Sequence, residues 1–236
     1  MTTMLPETPP FADRKEAGRQ LARLLSYMSG REDLVVVGLA PAAIPVAAEV
    51  AEVLEAPLDV LVVRPLIVPG PSQISIGAVT SGGIRSIDEP LVARMRLPAW
   101  AAGFLAAIES SEAAQTEHRL REGRSRSSLG DRRVVIVDDG LASSNELKAA
   151  VAEVRLRWPA RIFLASPVLA AGIALDLRTQ GVETDCLYED EIERRGAAPF
   201  WYSDPALPTF SEVRRTLEQA RRRSCPQWAA PIALLA

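Results

Sequence analysis

The chain has 236 residues, 48% hydrophobic and 24% charged, with a net charge of −3. That is enough apolar material for one substantial core, and the slightly acidic balance excludes a globally basic nucleic-acid binder or a protein held to an anionic membrane by charge. Two cysteines, Cys186 and Cys225, give neither a disulfide framework nor metal-ligand spacing, so a reduced, cytoplasmic setting is expected.

Residues 1–10 read as a tail, and the first eighteen residues lack the basic start and apolar centre of a signal peptide. From Phe11 to Ser29 apolar residues at Ala17, Leu21, Leu24, Leu25 and Met28 make a helical stripe opposite Arg14, Lys15, Arg19 and Arg23. Leu34 to Val37 reads as a strand running into Gly38. The longest apolar stretch, Leu34 to Val50, is broken by Pro41 and Pro45 and is too short for a membrane span. Pro45 to Leu54 is a helix with proline in its first turn, and Leu58 to Val63 is the next strand, completing a βαβ unit. A second unit runs from the strand Val134 to Val137 through a helix over Ser144 to Arg157 to the strand Ile162 to Ala165. A helix over Pro167 to Gln180 and a strand over Thr184 to Tyr188 follow. This alternation predicts an α/β fold, a mostly parallel sheet covered by helices on both faces.

Residues 65–130 break the pattern. Ile74 to Val79 and Ile84 to Ile87 flank Thr80-Ser81-Gly82-Gly83 and predict a hairpin, and Ala99 to Arg124 predicts a long helix that grows more charged along its length. Long insertions in compact domains tend to be functional, so a hood subdomain over the site is expected. The main domain then covers 11–220 and leaves 221–236 as a tail. Its Trp228, Ile232, Leu234 and Leu235 should dock on the chain itself or on a partner subunit.

The chemistry concentrates in Val134 to Glu146, VVIVDDGLASSNE. A buried strand ending in Asp138-Asp139 puts two acids at the carboxyl end of a sheet strand, where α/β folds bind ligands. The run resembles the phosphoribosyl pyrophosphate (PRPP) motif of type I phosphoribosyltransferases: apolar strand, acidic pair, three residues, then Thr-Gly-x-Thr. The resemblance extends to Phe11-x-Asp13-Arg14-x-x-Ala17-Gly18, the turn at Gly38, Leu58 to Arg64, Gly77-Ala78-Val79 and Trp201-Tyr202-x-Asp204, in the order seen in bacterial stand-alone members, over about residues 11–220. It implies the type I fold and assigns Asp138 and Asp139 to the ribose hydroxyls. It also places the 5-phosphate on Gly140, Leu141, Ala142, Ser143, Ser144, Asn145 and Glu146, and pyrophosphate on the loop Ala40-Pro41-Ala42-Ala43 with Arg64. Mg2+ would enter bridging the ligand in an active enzyme, with no direct metal ligand from the chain. Homo-oligomerisation, as a dimer, is expected; nucleic-acid and membrane partners are not.

Three loops depart from the family pattern. Ser143-Ser144-Asn145-Glu146 stands where Thr-Gly-x-Thr would be, adding a Cβ in place of glycine and an acid in place of a hydroxyl. A like charge about 4 Å away at an effective dielectric of about 20 costs on the order of 4 kcal/mol. Ala40 to Ala43 replaces an arginine and two glycines, and Arg64-Pro65-Leu66-Ile67 keeps the arginine of Val-Arg-Lys-Leu-Gly but loses the lysine and glycine. Plainer readings stand beside these. The acidic pair could be solvated turn residues, Asn145-Glu146 a helix start, Arg221-Arg222-Arg223 a solvated helix end, and Trp201-Tyr202 core, dimer contact or base platform. His118 reads as a surface residue on a polar helix. The sequence as a whole reads as a family member with weakened PRPP chemistry, binding a nucleoside, nucleotide or sugar or serving as a regulatory module; the alternative is an active, Mg2+-dependent phosphoribosyltransferase acting on a nucleobase-like acceptor.

Overall fold

The computed structural model describes residues 9–190 and 198–224. Residues 1–8 and the tail residues Cys225, Trp228, Ile232, Leu234 and Leu235 lie outside them. The strands are β1 (Leu34–Ala40), β2 (Leu58–Ile67), β3 (Ser75–Thr80), β4 (Arg85–Ile87), β5 (Arg133–Val137), β6 (Arg161–Ala170) and β7 (Glu183–Asp190). They form one sheet in the order β4-β3-β2-β1-β5-β6-β7. From β2 to β7 the neighbours are parallel, while β3 and β4 add an antiparallel extension. The helices are α1 (Arg14–Leu24), α2 (Ile44–Val53), α3 (Glu89–Arg94), α4 (Ala101–Arg121), α5 (Ser144–Arg155), α6 (Ala171–Thr179), α7 (Ala198–Trp201) and α8 (Phe210–Ser224).

The central strands are buried on both faces, which is why they read as unbroken apolar runs. Along β1, Leu34, Val36 and Ala40 join a core with α1, α2 and α8, and Val35, Val37 and Leu39 join a second core with α5 and α6. At about 1.5–3 kcal/mol for each large side chain fully buried, these two layers hold the domain together. The close crossing of α1 and α2 requires Gly18, where a Cβ would sit 2.9 Å from the Val46 backbone.

Several boundaries differ from the sequence reading. β2 continues past Val63 because β3 pairs with it from Val63 onward, with a register shift absorbing the stretch between Pro65 and Ile67. β6 continues through Pro167 to Ala170, so α6 starts at Ala171 and not at Pro167. The last pair of β6 with β5 is Ala165 with Val137, which leaves Pro167 without a strand neighbour on that side. The short helix α3, capped by the Asp88 side chain, has no counterpart in the sequence reading. Within residues 65–130, the segment expected as a hood, β3 and β4 prolong the sheet and α4 packs on β2 and β3.

A physical demand explains where α4 lies. Among the described residues the first half of β2, Leu58 to Val62, has no strand on its outer side, and charged side chains take the place of one. Glu117 accepts from the Val62 N–H at 3.3 Å, Arg121 donates to the Val60 carbonyl, and Asp59 accepts from the Ser127 N–H at 2.8 Å. Arg121 also pairs with Asp59 at 2.5 Å and Glu117 at 2.8 Å, and Arg126 bridges Glu117 and Glu153 at 2.7 and 2.6 Å. His118, next to Glu117 on the helix, faces solvent. Among the described residues no helix is long and apolar enough to cross a membrane.

Candidate functional site

The connection after β1 leads through α2 to β2 on one side of the sheet, whereas β5, the other neighbour of β1, leads through α5 to β6 on the opposite side. The loops after β1 and β5 therefore diverge, and the crevice at such a switch point is where open α/β sheets take their ligands. A cleft of about 370 Å3 opens there. Ala40, Pro41, Ala42, Arg64, Asp138, Asp139, Leu141, Ala142 and Glu146 line it, joined by Arg14, Thr116 and Leu207. A larger hollow of about 690 Å3, beside Leu58, Leu120 and Arg221, lies at the amino end of β2 and touches none of the sequence candidates.

The remaining candidates do not line the cleft. Ala43 is buried at the start of α2. Gly140 has φ +91° and packs so closely on Val168 that a Cβ would lie 3.1 Å from the valine side chain, so glycine is demanded here by the turn. Ser143 caps α5, Ser144 is its first residue, and the Asn145 side-chain oxygen accepts from the Ser86 hydroxyl on β4 at 2.8 Å.

The acidic pair is buried and asymmetric. Both Asp138 and Asp139 are 3% exposed, which argues against the solvated-turn reading. Asp139 accepts from Arg14 Nε at 2.9 Å and from the Leu141 N–H at 3.2 Å, while Asp138 accepts from the Gly140 N–H at 2.7 Å and has no cation of its own. Burial, and then the neighbouring Asp139 charge, push the Asp138 carboxyl up to about 7. Burial raises Asp139 as well, against the pull of the Arg14 guanidinium. With one cation for two adjacent acids, the first negative charge settles on Asp139 and the second ionises reluctantly at Asp138.

Arg14 is not a site candidate in the sequence. It lies 125 positions from Asp139, and the helical stripe puts it on the polar face. The segment after Phe11 pairs with Trp201 to Asp204, the Phe11 N–H donating to the Trp201 carbonyl and the Asp204 N–H to the Ala12 carbonyl, which swings Arg14 under the acidic turn. Arg14 also donates to the Pro205 and Ala206 carbonyls at 3.1 and 2.9 Å and lies over the Tyr202 ring. The Tyr202 hydroxyl donates to the Asp139 carbonyl oxygen. Trp201 and Tyr202 are fully buried, so they are core and turn support and offer no face for base stacking.

Around the rest of the cleft, Arg64 Nε is paired with Glu109 on α4 at 2.5 Å, and the loop after β1 presents only alanine and proline side chains. At the start of α5, Glu146 Oε2 accepts from both the N–H and the hydroxyl of Ser143, at 2.9 and 2.7 Å, and Ser143 Oγ accepts from the Glu146 N–H at 3.3 Å. This is a capping box whose acid also faces the cleft. Magnesium finds no ready set of protein ligands: among the described residues no three His, Cys, Asp or Glu side chains are grouped to hold an ion, and Asp139 is committed to Arg14 and Leu141.

These features define an α/β domain with a cleft and a buried acidic pair at its switch point. The chain belongs to the phosphoribosyl transferase domain family, whose profile matches residues 12–192. In two strains of Mycobacterium tuberculosis, proteins that carry the name "putative phosphoribosyl transferase" are 39% identical over 177 residues, 75% of this chain and 40% of theirs. The chain thus spans well under half the length of those relatives. The crystal structure of TT1426 from Thermus thermophilus superposes with a TM-score of 0.69 at 30% identity, covering 89% of this chain and 98% of that one. The sheet and helices are those of the type I phosphoribosyltransferase fold.

Proposed function

We propose that this family member binds a ribosyl-type ligand, a nucleoside, nucleotide or sugar, over Asp138 and Asp139, and that its PRPP chemistry is weakened or lost. The observation that carries the reading is the state of the cleft's cations: Arg14 is ion-paired with Asp139 and Arg64 with Glu109, so both lining arginines are neutralised within the protein. Asp138, Asp139 and Glu146 outnumber them. A polyanion such as PRPP would enter a cleft whose two lining arginines are each already paired with an acid, with the buried Nη2 of Arg14 left unpartnered, and its pyrophosphate would face Ala40, Pro41 and Ala42. Such a protein acts as a small-molecule binding or regulatory module in the cytoplasm, as a homodimer.

Calorimetry with PRPP and Mg2+ tests this directly: no binding in the micromolar range and no pyrophosphate release with common bases is the expected result. Tight PRPP binding would replace the reading with its alternative, an active Mg2+-dependent phosphoribosyltransferase. One observation favours that alternative. The Arg64 side chain is 42% exposed and could leave Glu109 to meet a phosphate.

A further inference from the structure

We infer that Glu146 is a resident anion filling the phosphate end of the cleft, and that it makes the site selective for a ribosyl group with a free 5-hydroxyl over the corresponding 5-phosphate. The inference rests on the reading of this cleft as a ribosyl site. A phosphate at a helix start is held by the backbone N–H groups and small hydroxyls that open there. At the start of α5 the Ser143 N–H and hydroxyl hydrogen both go to Glu146 Oε2. An incoming phosphate would have to expel a carboxylate that is covalently part of the helix it caps.

The same carboxylate can serve a different group. Oε2 takes both bonds from Ser143, which leaves Oε1 as an acceptor on a residue that lines the cleft with Asp138 and Asp139. A sugar hydroxyl can donate to such an oxygen; a phosphate dianion cannot, and it brings like charge to within a few ångströms of it. Glu146 also helps to raise Asp138, so its charge is felt at the acidic pair and not only at the helix surface. A capping box at an ordinary helix start would stabilise the helix and do nothing else. This one stands where the resemblance puts the 5-phosphate.

Glu146→Gln separates the two roles, since glutamine at this position still accepts from the Ser143 N–H and keeps the helix capped while removing the charge. The probes are adenosine, guanosine, cytidine and uridine, each beside its 5-monophosphate, measured by calorimetry on wild type and variant. Wild type should favour at least one nucleoside over its monophosphate by more than about tenfold, and Glu146→Gln should bind that monophosphate at least about tenfold more tightly with an unchanged melting temperature. Adding Asp139→Asn should weaken binding of both members of the pair, locating them in this cleft. Equal affinity of wild type for nucleoside and monophosphate would overturn the inference, as would a folded Glu146→Gln protein with an unaltered ratio. Failure of all eight compounds to bind either protein would instead overturn the ribosyl reading on which it depends.

Discussion

Two sets of buried charge are arranged differently. At the outer edge of β2, Asp59, Glu117 and Glu153 face Arg121 and Arg126, and nearly every oxygen and guanidinium nitrogen there meets an opposite charge or an unpaired backbone group of the strand. Across the sheet, at the carboxyl end of β5, Asp138 and Asp139 have a single close cation, Arg14, and Glu146 adds a third acid. The first set replaces a missing strand and leaves nothing over. The second retains unmatched acceptor capacity, which is the condition for binding something that donates hydrogen bonds. Burial alone does not separate a structural ionic cluster from a ligand site; the balance of partners does.

Four measurements put that contrast to the test. Glu117→Ala should have the largest effect, a loss of about 3–5 kcal/mol in urea unfolding, because it strands two arginines and the Val62 N–H at once. A loss below about 1 kcal/mol would mean that the edge cluster is not structural in this sense. Arg14→Met should cost less, about 2–3 kcal/mol near pH 8 and less near pH 5, since an unpartnered Asp139 can escape its buried charge by taking up a proton.

Asp138→Asn should go the other way. The wild-type carboxyl is raised from 3.8 to about 7, so between those values the folded chain holds a proton that the unfolded chain releases, and stability falls as pH rises across that window. Asparagine does not titrate, so the variant should gain on wild type between about pH 4 and pH 7, by about 4 kcal/mol across that window in thermal melts, offset by the cost of seating an amide in place of the protonated carboxyl. An identical pH profile for both proteins would show that the pair is not starved of positive charge. Ser143→Ala should have the smallest effect, about 0.5–1 kcal/mol from loss of the α5 cap, and should leave the pH profile unchanged.

Much of the architecture could be read from the chain because the central parallel strands carry unbroken apolar runs buried on both faces, as Val134 to Val137 does before the acidic pair. The acidic pair was legible for the same reason. What stayed hidden depends on partners distant in sequence. Pro167 reads as a helix start unless it is known that β5 stops at Val137 and frees that side of β6. Glu117 and Arg121 look like a solvated helix end, as His118 in fact is, until the bare edge of β2 is seen to need them. Arg14 gives no sign of its role except the motif around it, since the chain must return at Trp201 to carry it beneath Asp139. Glu146 was visible as an intrusive charge, but its bond to Ser143, which turns an intruder into an occupant, follows from the helix beginning at Ser144.

The pairing of Phe11 with Tyr202 has a consequence for how this site comes into being on the ribosome. The acidic turn is supported by Arg14 from one end of the domain and by Tyr202 from the other, and Arg14 is itself fixed by the carbonyls of Pro205 and Ala206. All of the parallel strands can pair once residue 190 has emerged, but the acidic pair acquires its geometry only when the chain has been made past residue 206. During synthesis the sheet can therefore pair before the acidic turn is braced, and the cleft is complete only once the two ends of the domain have met.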